Sequence, residues 1–158
     1  MVLSPLGTAI QLPGPTGERN TYALLPRHSI LAIALDADDR LFQLAHVLAA
    51  GARAIWPDDT ATRSLWQQLP PGVRDRVELI DEPLAADVQV ALLQADADSV
   101  RDWSRKLAAR PGVVVTLHAC APGERAPGAY PLEALVVERS VSVNTAAAGG
   151  NATLMTLN

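Results

Sequence analysis

A chain of 158 residues, 49% hydrophobic and 19% charged, has the length and composition of one globular domain and not of a disordered tail. Its net charge of −4, with Lys106 the only lysine among 13 cations, argues against a nucleic-acid surface, which needs clustered cations to displace counterions. The single cysteine, Cys120, rules out an internal disulfide, no apolar run reaches the roughly 20 residues of a bilayer span, and no secretory leader opens the chain, so a soluble, cytoplasmic protein is expected.

Residues 1–19 are turn-rich and without period, and are read as a linker such as would begin a segment taken from a longer protein. Ser29 to Leu35 is a continuous apolar run of strand length, the pattern of a strand covered on both faces. Asp36 to Asp39 then offer N-caps, Leu41, Leu44, Ala45 and Leu48 follow at helical spacing, and Gly51 is placed to end that helix. Ala52 to Trp56 is a second strand. Asp58 to Thr60 cap a second helix with Thr62, Leu65, Trp66 and Leu69 inward, stopped by Pro70 and Pro71. Val77 to Ile80 and Val88 to Leu93 are the next strands. A helix starting at Asp96 to Ser99 carries Val100, Trp103, Leu107 and Ala108 on one face, and Val113 to Leu117 form a last buried strand. Strands separated by amphipathic helices predict a doubly wound, mostly parallel, Rossmann-like α/β sheet.

The ends stand apart from this unit. Residues 20–25 and 135–144 both read as exposed strands, predicted to pair as a two-stranded β-flap; a lone ribbon of that kind is marginal in water and needs a surface to sit on. In the second strand Val137, Arg139, Val141 and Val143 share one face, and Glu138, Ser140, Ser142 and Asn144 the other. Residues 144–152 are small and polar, with adjacent glycines Gly149 and Gly150, and cannot order themselves by burial.

Catalytic chemistry is hard to find. The first strand–helix turn, Leu35-Asp-Ala-Asp-Asp-Arg40, has no glycine for a pyrophosphate to approach and three carboxylates where the phosphates would lie; helix capping is the better reading. Asp58 and Asp59 have the spacing of a ribose-binding acid but no loop to support it. His118 and Cys120 stand at i and i+2, yet no lysine or arginine lies within four residues of the thiol, and a structural cysteine is favoured. His28, His46 and His118 lack ligand spacing. The residues point to a domain with no catalytic, cofactor or metal site of its own.

Three segments, Leu12-Pro-Gly-Pro-Thr-Gly-Glu-Arg-Asn-Thr21 with Leu25-Pro-Arg27, Ala50-Gly-Ala-Arg-Ala-Ile-Trp-Pro-Asp-Asp59, and Glu138-Arg-Ser-Val-Ser-Val-Asn-Thr-Ala-Ala-Ala-Gly-Gly-Asn-Ala-Thr-Leu-Met-Thr156, resemble the C-terminal region of the proline utilization A family, in order and over nearly the whole chain. The resemblance implies a fold of the aldehyde-dehydrogenase-superfamily type without its catalytic parts, within a parent that uses FAD to oxidise proline to pyrroline-5-carboxylate and NAD to oxidise glutamate γ-semialdehyde to glutamate. It implies that the domain stabilises the aldehyde dehydrogenase domain of the same polypeptide. It also makes residues 146–158 a lid over the aldehyde site and the tunnel that channels the intermediate. Glu138, Arg139, Asn144, Thr145, Gly149, Gly150 and Asn151 are then the expected lid and interdomain contacts. Some members bind DNA through a separate N-terminal domain, and the parent is expected in the cytoplasm or peripheral at the inner membrane. Two other readings stand beside this one: an autonomous nucleotide-binding oxidoreductase domain, and a protein–protein module that forms a homodimer through its end strands.

Overall fold

In the computed structural model, residues 6–145 are described. The strands are β1 (Ile10–Leu12), β2 (Glu18–Pro26), β3 (Ser29–Ala34), β4 (Arg53–Pro57), β5 (Val77–Ile80), β6 (Val90–Gln94), β7 (Thr116–Cys120) and β8 (Val136–Asn144). The helices are α1 (Ala37–Ala49), α2 (Thr60–Gln68), α3 (Pro71–Arg74) and α4 (Ala97–Ala108). The chain divides into two compact units, one of residues 26–137 and one made by the two chain ends.

The larger unit is a five-stranded sheet in the order β5-β4-β3-β6-β7, with every pair parallel. All six residues of β3 and all five of β6 are buried, as their unbroken apolar runs require of strands covered on both faces. Leu31, Ile33, Ile55, Ala91 and Leu93 form one core with Leu107 of α4, against which Val100 and Trp103 pack. Alternation turns Ile30, Ala32 and Trp56 to the other side, where Leu44 and Val47 of α1 are buried. Helices on both faces make the sheet doubly wound, with strand order reversing between β3 and β6.

The helix boundaries follow local chemistry. Asp36 caps α1, accepting from the backbone N–H of Asp38 at 2.8 Å and of Asp39 at 3.3 Å. Gly51, at φ +72°, ends it in the left-handed conformation that a side chain resists. Asp59 caps α2 through the Thr62 N–H at 2.7 Å, and that bond, ahead of the Thr62 hydroxyl and the Arg40 charge, holds its carboxyl below the usual range although burial opposes the shift. A depressed native pKa stabilises the fold above the unfolded carboxylate range, and the contribution is lost as pH falls through the native value. Asp59→Ala is therefore expected to cost about 1 kcal/mol at neutral pH. In thermal melts the gap from the parent should narrow as the solution is acidified below about pH 4; a gap unchanged in acid would refute the cap's charge.

One parallel strand lies off its expected place. The last parallel strand is Thr116–Cys120 and not Val113 to Leu117: Val113 and Val114 are 55% and 87% exposed, because this stretch carries the chain from the end of α4 back to the sheet, and only Val115 is buried. Pro71 starts a short helix as well as ending α2; a proline at the first helical position has no N–H to lose. Arg74 of that helix donates to the carbonyls of Gln67 and Leu69, at 2.7 and 3.0 Å, which closes the end of α2.

The unit of the chain ends is a three-stranded sheet, β1-β2-β8, where a two-stranded flap was expected. The third strand, β1, lies in the stretch read as linker and pairs antiparallel with β2, Gln11 opposite Thr21. Their connection turns at Pro15–Glu18, where the Glu18 N–H donates to the Pro15 carbonyl and Gly17 sits at φ +90° in the third position of the turn. On the other side of β2, Thr145 N–H donates to Gly17 O at 2.7 Å and Thr21 Oγ1 to Val141 O at 3.5 Å. As β2 advances its partners recede, so β8 runs antiparallel to it.

Candidate functional site

In an open doubly wound sheet, ligands bind beyond the carboxyl ends of the strands where strand order reverses. Here that place lies between the ends of β3 and β6, and the chain's own residues close it. The Arg125 guanidinium lies over the start of α1, its Nε donating to Asp39 Oδ1 at 2.7 Å and its Nη2 to Asp36 Oδ1 at 3.1 Å, with Asp38 Oδ2 at 3.6 Å. The Gly123 N–H donates to the other Asp39 oxygen at 2.9 Å, and Gln94, at the end of β6, donates to the Glu124 carbonyl at 2.7 Å. The loop after β7 is thus tied across the strand ends.

Beneath it lies a buried polar layer. Tyr130 donates to the Leu93 carbonyl and accepts from Gln43 Nε2, both at 3.1 Å, while Gln43 also donates to the Ile33 carbonyl at 3.0 Å. Burial raises the Tyr130 pKa strongly, so the phenol stays protonated and holds two elements together without charge. Arg40 donates to the Ala34 carbonyl and sits 5.6 Å from the Trp56 ring; burial lowers its pKa, which Asp59 partly offsets.

The three aspartates expected to repel a phosphate therefore have another role. Asp36 is a helix cap, as the sequence suggests, but Asp36 and Asp39 are also neutralised by a guanidinium from 89 and 86 residues along the chain. The Arg125 guanidinium thus lies over the turn between β3 and α1, which a pyrophosphate approaches in sheets of this kind. Asp39 is 2% exposed and Arg125 38%, a half-buried pair. Asp39→Ala is expected to cost about 2 kcal/mol, between the 0–1 of an exposed pair and the 3–5 of a fully buried one. Urea unfolding measures it; a loss within 0.5 kcal/mol, the range of ordinary surface changes, would mean that the tie contributes little.

His118 and Cys120 both lie in β7. The thiol is buried, donates to the Ala129 carbonyl at 3.4 Å, and has its pKa raised by that burial. Burial, then the Arg27 charge, lowers the His118 pKa. A buried thiol with a raised pKa is the reverse of an activated nucleophile. Among the described residues no group of three His, Cys, Asp or Glu side chains is placed to hold a metal, and no helix is long and apolar enough to cross a membrane.

Of the expected contact residues, Glu138 and Arg139 are exposed in the middle of β8, on opposite faces. Partial desolvation, then the neighbouring Glu138 carboxylate, raise the Tyr22 pKa. Asn144 ends β8 and Thr145 continues it onto Gly17. Gly149, Gly150 and Asn151 lie outside the described residues. Arg139, Val141 and Val143 share a groove of about 500 Å³ with Arg19, Thr21, Ala23 and Leu25 of β2. Arg19 was missed in the sequence although the alternation Arg19, Thr21, Ala23, Leu25 places it on one strand face; Arg125 gave no local signal at all.

No family model matches the chain. Among curated proteins it is 46% identical over 157 residues to the bifunctional protein PutA of Escherichia coli (strain K12), covering 98% of this chain and 12% of that protein. To the PutA of Rhizobium meliloti it is 39% identical over 161 residues, 98% of this chain and 13% of that one. Among solved structures it matches a Bradyrhizobium japonicum proline utilization A variant at 22% identity and TM-score 0.53, over 72% of this chain and 14% of that one. It also matches Staphylococcus aureus AldH at 16% identity and TM-score 0.51, over 70% and 28%. At such identities these structures speak to fold, which is that of the Rossmann-like sheet described above. The chain spans about one eighth of the length of its curated relatives, and along nearly its whole length it belongs to the PutA family.

Proposed function

We propose that this chain is the non-catalytic C-terminal domain of a bifunctional enzyme that oxidises proline to glutamate. It works by contact: its end-strand sheet docks on the aldehyde dehydrogenase domain of the same polypeptide, and residues 144–158 cover the aldehyde site and the mouth of the tunnel carrying the intermediate. FAD and NAD are cofactors of the parent, held elsewhere in it. The observation that carries the reading is the closed crevice, in which Arg125, Asp36 and Asp39 take up the one position where this kind of sheet binds a dinucleotide. The end-strand sheet adds support, since most of β8 and all of β1 are exposed and a single layer of strands needs something to cover it. A covering segment acts by excluding water and fixing the substrate.

The test is to assay proline oxidation and aldehyde oxidation separately in the full-length protein with and without residues 144–158. Loss confined to the aldehyde step supports the reading. Equal loss of both, or of neither, contradicts it.

A further inference from the structure

The two faces of the end-strand sheet differ in chemistry. On one, Tyr22 of β2 and the carboxylate Glu138 of β8 are neighbours. On the other, Arg19 and Arg139 have no ion-pair or hydrogen-bond partner among the described residues. The pairing that sets Thr21 beside Val141 puts Arg139 beside Ala23 and Arg19 beside Val143. The two guanidinium-bearing positions are then four residues apart along the strands, about 14 Å at ~3.4 Å per residue. Ala9, Thr21, Ala23 and Val141 make a floor of modest side chains between them in the groove. A floor of this kind admits a second layer closely, and two cations without a partner among the described residues are favourable to bury only if carboxylates meet them.

We propose that the Arg19–Arg139 face is the one that docks, and that its occupant is a β-element elsewhere in the same polypeptide presenting a carboxylate to each arginine. This rests on the docking reading above and adds the face and its charge. A second copy of the chain is the poorer occupant, because a two-fold interface through this face sets the same positive patch against itself. The curated relatives are about eight times longer than this chain, and a partner within one polypeptide meets the face at high effective concentration.

The test uses zero-length carbodiimide coupling of lysine to carboxylate in the full-length protein, with isotopically mixed copies and peptide mass spectrometry. Lys106, the only native lysine of this chain, lies 2.6 Å from Asp102 and reports in every variant that α4 is intact. In R19K and R139K, positions 19 and 139 are expected to couple to Asp or Glu outside these 158 residues within one molecule, while E138K, on the opposite face, gives no such product. Coupling from E138K but not from R19K or R139K overturns the choice of face. Products joining two copies overturn the choice of occupant. No coupling from either face overturns the proposal together with the docking reading beneath it.

Discussion

Deleting residues 144–158 from the full-length protein is expected to lower aldehyde oxidation on the order of 100-fold and leave proline oxidation unchanged, because misplacing a substrate by about 1 Å costs that much. The segment leaves the end-strand sheet at Thr145, whose N–H is tied to Gly17 O at 2.7 Å, so the strand pairing fixes where a cover would begin. Residues 144–153 are small and polar, with a pair of glycines that allow a backbone to approach another surface closely. A cover of this kind acts on one active site and has no route to the other. Steady-state assay of each half-reaction with its own substrate decides the matter; an undiminished aldehyde rate would leave the segment without the role given it here.

The second large effect is on stability. Trp56 is 0% exposed in β4 and its ring lies beneath the Arg40 guanidinium. Trp56→Ala is expected to cost about 3–5 kcal/mol, a large part of the ~5–15 that holds a domain together. It removes the largest fully buried side chain and uncovers a cation whose pKa burial already lowers. Trp56→Phe should cost far less, because it keeps an aromatic face for Arg40 and removes an indole N–H that has no partner among the described residues. Urea unfolding of the two variants gives the order; equal losses would mean that the ring is not what fills the site.

How legible each part was depended on the range of the interactions that fix it. The parallel strands and the three capping aspartates Asp36, Asp59 and Asp96 could be read directly, since hydrophobic runs and caps act within a few residues. β7 was misplaced because Val113, Val114 and Val115 look alike to a hydrophobicity pattern, and only the path back from α4 decides which of them is buried. β1 was missed because three exposed residues carry no periodicity, and their pairing is created by the turn at Pro15–Glu18. The closed crevice was half legible. The turn without glycine was visible at once, whereas Arg125 lies 89 residues from Asp36 and only the folded chain brings them together.

In the full-length protein the end-strand sheet is expected to be covered. Hydrogen exchange in the full-length protein, read at the backbone amides of β2 and β8, measures this. The expected result is protection of those amides approaching that of the buried strands β3 and β6, with faster exchange in β2 and β8 when Arg19 and Arg139 are both changed to Glu. Exchange in β2 and β8 as fast as at the exposed amides of Gly14 and Thr16 would contradict this, because a sheet with nothing lying on it cannot be a docking face.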